Sequence, residues 1–249
     1  MQRYNIVIPM AGRGTRFKEA GYQKEKPLII TNGKTLTEHA ITSLGLTGRF
    51  IFITRNFENP EDNKKLTRLF DKLCRDYVEV RVNEKQFGAA HSASFAKEHI
   101  KEGWPLIIAN CDQFLDWDAS DFDKCIQSEE ADGYVHIYSS KDPKNSFVML
   151  DDEGYATEIA EKKVITNHAL TGIHYWKNPE DFFSSFEKTF KTYKEDGYTE
   201  CYVSITYNEL IKEGKKIKTF EPHDNSKPHY WPIGTPEDVE LFEANFNAS

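Results

Sequence analysis

Over its first 110 residues the chain alternates strand-length apolar runs with helix signals, and this pattern limits its fold more than any other feature. The runs stand at residues 5–9, 50–54, 78–82 and 106–109. Between the first two, Thr35 and Glu38 form a capping box ahead of Leu36, Ala40, Ile41 and Leu44, which share one helical face, and Gly45 ends the segment. After Pro60, residues Leu66, Leu69, Phe70 and Leu73 repeat at helical spacing. A third helix, rich in small residues, is expected over 88–100. Strand and helix in turn imply βαβ units and a parallel sheet. Further runs at 134–138, 146–150 and 170–176 read as strands without helices between them, so antiparallel strands are expected to join the same sheet.

The expected fold class is therefore α/β: a single-domain, Rossmann-like three-layer sandwich over residues 1–249, with a mixed, mostly parallel central sheet. With a hydrophobic fraction of 39%, 17 Phe and 12 Tyr, the chain can fill a sizeable core. Phe182, Phe186 and Phe190 recur every fourth residue and are expected to pack a helix on that core. Thr235-Pro-Glu-Asp carries an N-cap, a proline at the first helical position and two first-turn acids, which start a last helix.

Charge bounds the function. The chain carries a net charge of −8, which argues against a general nucleic-acid or membrane surface. Residues 1–26 depart from this, with six basic and two acidic residues. A positive mouth on an acidic body suits a small anionic ligand. The four cysteines, Cys74, Cys111, Cys125 and Cys201, form no CxxC or zinc spacing. No leader pattern precedes the first strand and no apolar run approaches membrane-span length. A reduced, cytoplasmic protein is the expectation, with self-association left open.

The positive mouth is "IVIPMAGRGTRFKEAGYQKEKPL", residues 6–28. Open α/β sheets bind ligands where strands end and helices begin. Glycines there let backbone N–H groups approach a phosphate, and cations neutralise it. The dinucleotide pattern GxGxxG would need glycine at Phe17, and the Walker pattern has no match.

Gly12-x-Gly14-Thr15-Arg16-Phe17 followed by Lys26-Pro27-Leu28 resembles the signature of the sugar nucleotidyltransferases, also called nucleotide-sugar pyrophosphorylases. Asn110-Cys-Asp112-Gln resembles the family's metal-binding aspartate after a central strand. Glu161-Lys162 resembles its acceptor-phosphate pair, Thr171-Gly172-Ile173 the strand that follows, and Gly234-Thr-Pro-Glu-Asp its closing motif. The resemblance implies the nucleotide-diphospho-sugar transferase fold. It also implies a reaction in which an NTP and a phosphorylated acceptor give an NDP-linked product and pyrophosphate. In style the first loop resembles short relatives from capsule and surface-polysaccharide gene sets, with CTP, UTP or dTTP as donor.

That chemistry needs positioning and charge neutralisation and no protein nucleophile. The resemblance assigns Arg16 to the leaving pyrophosphate, which its planar fork suits, and Lys26 to the α-phosphate. Ala11, Gly12, Gly14 and Thr15 would cradle the phosphates. Asn83, Gly88 and Ala89 would meet the base, and Glu161, Lys162 and Gly172 the acceptor. Asp112 would hold Mg²⁺, the expected cofactor. Tyr202, Tyr207 and Asn208 lie where the acceptor pocket could be, but their surroundings read only as an amphipathic helix. Asp116, Asp118, His223 and His229 read as loop or cap residues. The pattern departs from the family at Pro232, where many members place a second metal-binding acid, and Asp224 is the nearest candidate substitute. Two other readings stay open: a metal-dependent glycosyltransferase of the same fold, and a non-catalytic nucleotide-binding relative. A nucleotide-sugar donor needs no pyrophosphate cradle at the first strand, which counts against the glycosyltransferase.

Overall fold

The first strand, β1 (Tyr4–Pro9), is buried along nearly its whole length and sits near the middle of a nine-stranded sheet. This computed structural model describes residues 2–128, 130–222 and 228–246. A short helix, α1 (Thr15–Glu19), follows β1. A small hairpin, β2 (Ile30–Thr31) and β3 (Lys34–Thr35), leads into α2 (Leu36–Leu44). The expected capping box is formed. Thr35 Oγ1 accepts from the Glu38 N–H at 3.0 Å and Glu38 Oε2 from the Thr35 N–H at 3.0 Å, while Gly45 closes the helix at φ 65°.

Strand β4 (Gly48–Arg55), helix α3 (Pro60–Leu73) and strand β5 (Tyr77–Val82) complete the first crossover units, with β1, β4 and β5 side by side and parallel. Helix α4 (Gly88–Ser94) is shorter than expected. The chain tightens to a 3-10 turn at Lys97–His99 before β6 (Leu106–Ala109), which pairs parallel with β1 on its other side. Serine hydroxyls inside α4 bond back to backbone carbonyls, Ser92 to Gly88 and Ser94 to His91, which weakens its continuation.

After β6 come β7 (Gln113–Leu115) and a helix the sequence pattern did not announce, α5 (Ala119–Ser128). Only Phe122 of α5 is buried, so its apolar signal is slight. Asp118 caps it, accepting from the Ser120 N–H at 2.8 Å. Strands β8 (Gly133–Ser139), β9 (Ser146–Leu150) and β11 (His168–Trp176) then form the antiparallel half expected from the sequence, joined by β10 (Ala156–Glu161), which the pattern did not announce. Strand β11 is the seam, antiparallel to β6 on one side and to β8 and β9 on the other. Helices α6 (Pro179–Glu195) and α7 (Tyr207–Lys212), strand β12 (Ile217–Phe220), strand β13 (Tyr230–Pro232) and helix α8 (Pro236–Phe246) end the described chain.

Two cores sandwich the sheet. One gathers sheet residues such as Val7, Ile51 and Ile108 with Ala90 and Ala93 of α4 and Phe182, Phe183 and Phe186 of α6. The other gathers Ile6, Ile8 and Phe52 with Ile41, Leu66, Phe70 and Phe122. These are the expected three layers in a mixed sheet. The phenylalanine stripe of α6 packs inward, and the Tyr207 hydroxyl donates to the Tyr134 and Tyr175 carbonyls at 3.2 and 3.0 Å, so it belongs to the core.

Candidate active site

The C-terminal ends of β1, β4 and β5 open into a cleft of about 830 Å³. It is lined by Ala11, Gly12, Arg13, Thr15 and Lys18 from the first loop and helix, and by Arg55, Asn56 and Glu58 after β4. Residues 82–86, Gly88, Ala89 and Ser92 line its other wall, and Glu200 reaches it from the segment after α6. Six residues singled out in the sequence for nucleotide binding thus meet in one place: Ala11, Gly12, Thr15, Asn83, Gly88 and Ala89. Arg13, Lys18, Arg55, Asn56, Lys85 and Glu200 also line it and were not singled out. Arg13 and Lys18 lie inside the basic stretch, which was their only signal. Arg55 and Asn56 follow a strand end with no pattern of their own.

Local backbone explains two of the glycines. Gly14 sits at φ 62° at the start of α1, and a Cβ there would come within 2.9 Å of Lys26 Cβ. The loop therefore closes directly on Lys26. Gly88 opens α4 at φ 87°, where a Cβ would lie 2.4 Å from the Cys201 carbonyl oxygen. The Ala90 N–H donates to that same carbonyl at 3.1 Å. Gly88 thus sews the segment before α7 against the cleft wall.

Lys26 forms an ion pair with Asp112, although 86 residues separate them. Burial alone would lower the Lys26 ammonium, but the Asp112 carboxylate outweighs burial and the ammonium is held above its ordinary value. Arg16 is close enough to work against this electrostatically, and its side chain is exposed. Lys26 and Asp112 therefore stand together beside the glycine loop, with Arg16 on the exposed side of α1. Burial pushes the neighbouring Cys111 thiol up to about 12, so it remains a thiol at neutral pH and offers no nucleophile.

Asp112 is seated by residues 232–234, at the start of the closing motif. The Ile233 N–H donates to the Asp112 carbonyl at 3.0 Å, and a Cβ on Gly234 would lie 2.8 Å from Asp112 Oδ2. Strand β13 pairs with β7 so that Pro232 stands opposite Gln113. Position 232 is therefore beside Asp112 in space, and it carries no acid. The acid nearest Gly234 besides Asp112 is Asp238, whose Oδ2 would stand 3.9 Å from that Cβ. Asp238 is already engaged, accepting from the Thr235 N–H at 3.1 Å and from Lys144 Nζ at 3.1 Å. Asp224 and His223 lie outside the described residues. Among the described residues no group of three or more His, Cys, Asp or Glu side chains could hold a metal ion. Asp112, itself paired with Lys26, would be a lone protein carboxylate at such a site, a donor set that fits Mg²⁺, which keeps waters and takes substrate phosphates as ligands, better than ions that need a full protein cage.

Gly172 is buried in β11, away from the cleft lining. A Cβ there would overlap the Asn110 amide at 2.0 Å, so its role in the fold is to admit Asn110 two residues before Asp112. Glu161 ends β10 and Lys162 follows it. Burial raises the Glu161 carboxyl, and hydroxyls of Ser146 and Ser204 (the latter at 3.0 Å) partly offset this by donating to it. Lys162 adopts φ 54°, a left-handed conformation uncommon outside glycine. Its Nζ donates to the Tyr202 hydroxyl at 2.6 Å and stands 4.0 Å from Glu200, which lines the cleft. Tyr202 and Glu200 thereby connect this pair to the cleft. Asn208 instead bonds the Ile159 backbone, and His229 is buried beside His136 as a packing residue.

Residues 6–247 match the sequence profile of the family described as "Nucleotidyl transferase". The chain belongs to that family. Among curated relatives, the bifunctional protein GlmU of Methanococcus maripaludis is 26% identical over 259 residues, covering 86% of this chain and 62% of that protein. GlmU of Staphylococcus haemolyticus is 36% identical over 110 residues, 43% of this chain and 22% of the relative. The chain thus spans less than two thirds of these relatives. The nucleoside-diphosphate-sugar pyrophosphorylase from Vibrio cholerae superposes with a TM-score of 0.77 at 23% identity, covering 96% of this chain and 100% of its own. A UDP-glucose pyrophosphorylase complexed with UDP-glucose gives 0.76 at 18% identity over 100% of both chains. These likenesses establish the nucleotide-diphospho-sugar transferase fold. No helix among the described residues is long and apolar enough to cross a membrane.

Proposed function

We propose that this nucleotidyltransferase-family chain transfers NMP from an NTP to a small phosphorylated acceptor of the sugar 1-phosphate class and releases pyrophosphate. One observation carries the reading: the glycine loop, Lys26 and Asp112 meet at the edge of a cleft whose far wall holds Asn83 and Gly88. The triphosphate lies on the loop, with its leaving end toward Arg16 and its α-phosphate toward Lys26. The base lies against the small residues Gly88 and Ala89. An acceptor phosphate oxygen, held through Lys162, bonds to the α-phosphorus as the bond to pyrophosphate breaks. The chain contributes fixed positive charge where negative charge moves, and such preset charge does most to speed a transfer of this kind. Mg²⁺ held by Asp112 would supply further charge neutralisation on the phosphates.

The test is a panel. Each NTP is incubated with Mg²⁺ and sugar 1-phosphates or other small phosphorylated acceptors, and pyrophosphate is measured. Release that requires both partners supports the reading. Transfer from a nucleotide sugar without pyrophosphate would replace it with the glycosyltransferase. The missing acid at position 232 favours one other outcome, nucleotide binding without turnover, which the same panel registers as silence.

A further inference from the structure

A line of polar side chains runs from the outer sheet edge to the cleft, and each link fixes the next. On β5, Glu79 holds the Arg81 guanidinium with both oxygens, at 2.9 and 3.1 Å. Glu79 is itself fixed by hydroxyls of Thr54 at 3.0 Å and Thr67 at 2.9 Å. Arg81 Nη1 reaches the Asn56 side chain at 3.3 Å, and Asn56 meets the Asn83 side chain at 2.9 Å. Asn56 and Asn83 both line the cleft.

Donor and acceptor roles along this line are not free. A guanidinium only donates, so the Asn56 atom it meets is the carbonyl oxygen. The Asn56 NH₂ is thereby turned to Asn83 and must find an oxygen there. Asn83 Oδ1 is used, and the Asn83 NH₂ is what remains to face the cleft. We infer that Asn56, set by Arg81, is a positioning residue that locks Asn83 as a hydrogen-bond donor, so that the cleft selects a nucleobase presenting a carbonyl or ring-nitrogen acceptor at that point. The inference rests on the cleft being the nucleotide site proposed above.

Two substitutions at exposed Asn56 separate this role from a structural one. In Asn56→Asp, Arg81 keeps its acceptor, but a carboxylate oxygen now faces Asn83. Asn83 must turn its NH₂ to that oxygen and present Oδ1 to the base. In Asn56→Ala, Asn83 is free to turn either way. Binding is measured for each of the five common NTPs and for inorganic triphosphate, which shares the charge and lacks the base. For the NTP that the natural protein binds best, the preference over triphosphate should fall by about tenfold in Asn56→Asp and by about threefold or less in Asn56→Ala, the scale of one hydrogen bond reversed or merely loosened.

A merely structural Asn56 predicts the opposite order, because alanine removes both bonds and aspartate keeps the one to Arg81. That order, or an unchanged preference in both variants, would overturn the relay and leave the nucleotide site standing. A natural protein that binds NTPs no better than triphosphate, or binds neither, would overturn the relay together with the site.

Discussion

The two ends of the proposed site are built differently. At the proposed nucleotide end, parallel strands β1, β4 and β5 deliver residues that are close together in sequence. The glycine loop, α1 and Lys26 fall within residues 10–26, and Asn83, Gly88 and Ala89 within seven positions. At the proposed acceptor end, Glu161 and Lys162 take their partners from Ser146 of β9 and from Glu200, Tyr202 and Ser204 in the segment between α6 and α7. The contrast suggests that phosphate gripping is a local property of one strand-to-helix turn. Acceptor recognition, on the reading proposed above, is a tertiary property that can change while the first end stays fixed.

The largest effects should come where the two ends meet. Arg16→Ala and Asp112→Asn are each expected to lower kcat by at least about a hundredfold, the scale of a lost electrostatic contact at a transition state. Steady-state kinetics on folded variants checks this, and a near-natural kcat for either would remove that residue from the chemistry.

Gly88→Ala strains a backbone at φ 87° and drives a methyl into the Cys201 carbonyl. It should cost about 2 kcal/mol or more in denaturant unfolding, near the middle of the range for such strain. A stability unchanged from the natural protein would mean that the close approach at Cys201 is relaxed in solution.

At the acceptor end, Lys162→Gly is the cleaner variant, because glycine tolerates φ 54° where alanine does not. It should raise the acceptor KM by about tenfold or more, as expected for a lost bond to a charged group, and leave the NTP KM alone. A change confined to the NTP would erase the division between the two ends.

A last effect is on acid stability, and it is confined to low pH. Burial lowers His174 to about 3, below its ordinary 6.5. A depressed folded-state value means that the unfolded chain binds the proton first. The stability this His leaves intact above pH 6.5 is therefore lost as pH falls toward 3. His174→Phe should flatten ΔG against pH by about 1.4 kcal/mol per pH unit inside that window and leave it unchanged above.

How much of this was legible in the sequence follows the same division. The seven longest apolar runs are all strands, and the capping box at Thr35 and the stop at Gly45 are where the residues put them. These signals are local, since a cap or an alternation is written in neighbouring residues. Helix α5 was missed because only Phe122 is buried on it, and β10 because Glu158 and other polar residues interrupt its apolar positions. Around the cleft, the resemblance singled out Lys26 and Asp112, which the structure pairs, and Arg16 beside them in the proposed site. Arg55 and Asn56 were not, since their places in the cleft depend on the pairing of β4 with β1 and β5. The reason for Gly172 also lay out of reach, because its missing side chain is filled by Asn110 from a different strand end.

The most direct test is a crystal structure with an α,β-methylene NTP, whose bridging carbon blocks transfer. The base is expected between Asn83 and Gly88–Ala89, the triphosphate along Gly12–Arg16, and the α-phosphorus beside Lys26 and Asp112. An analogue seated elsewhere on the fold, or lying in this cleft with its phosphates turned away from the glycine loop, would contradict the proposed site.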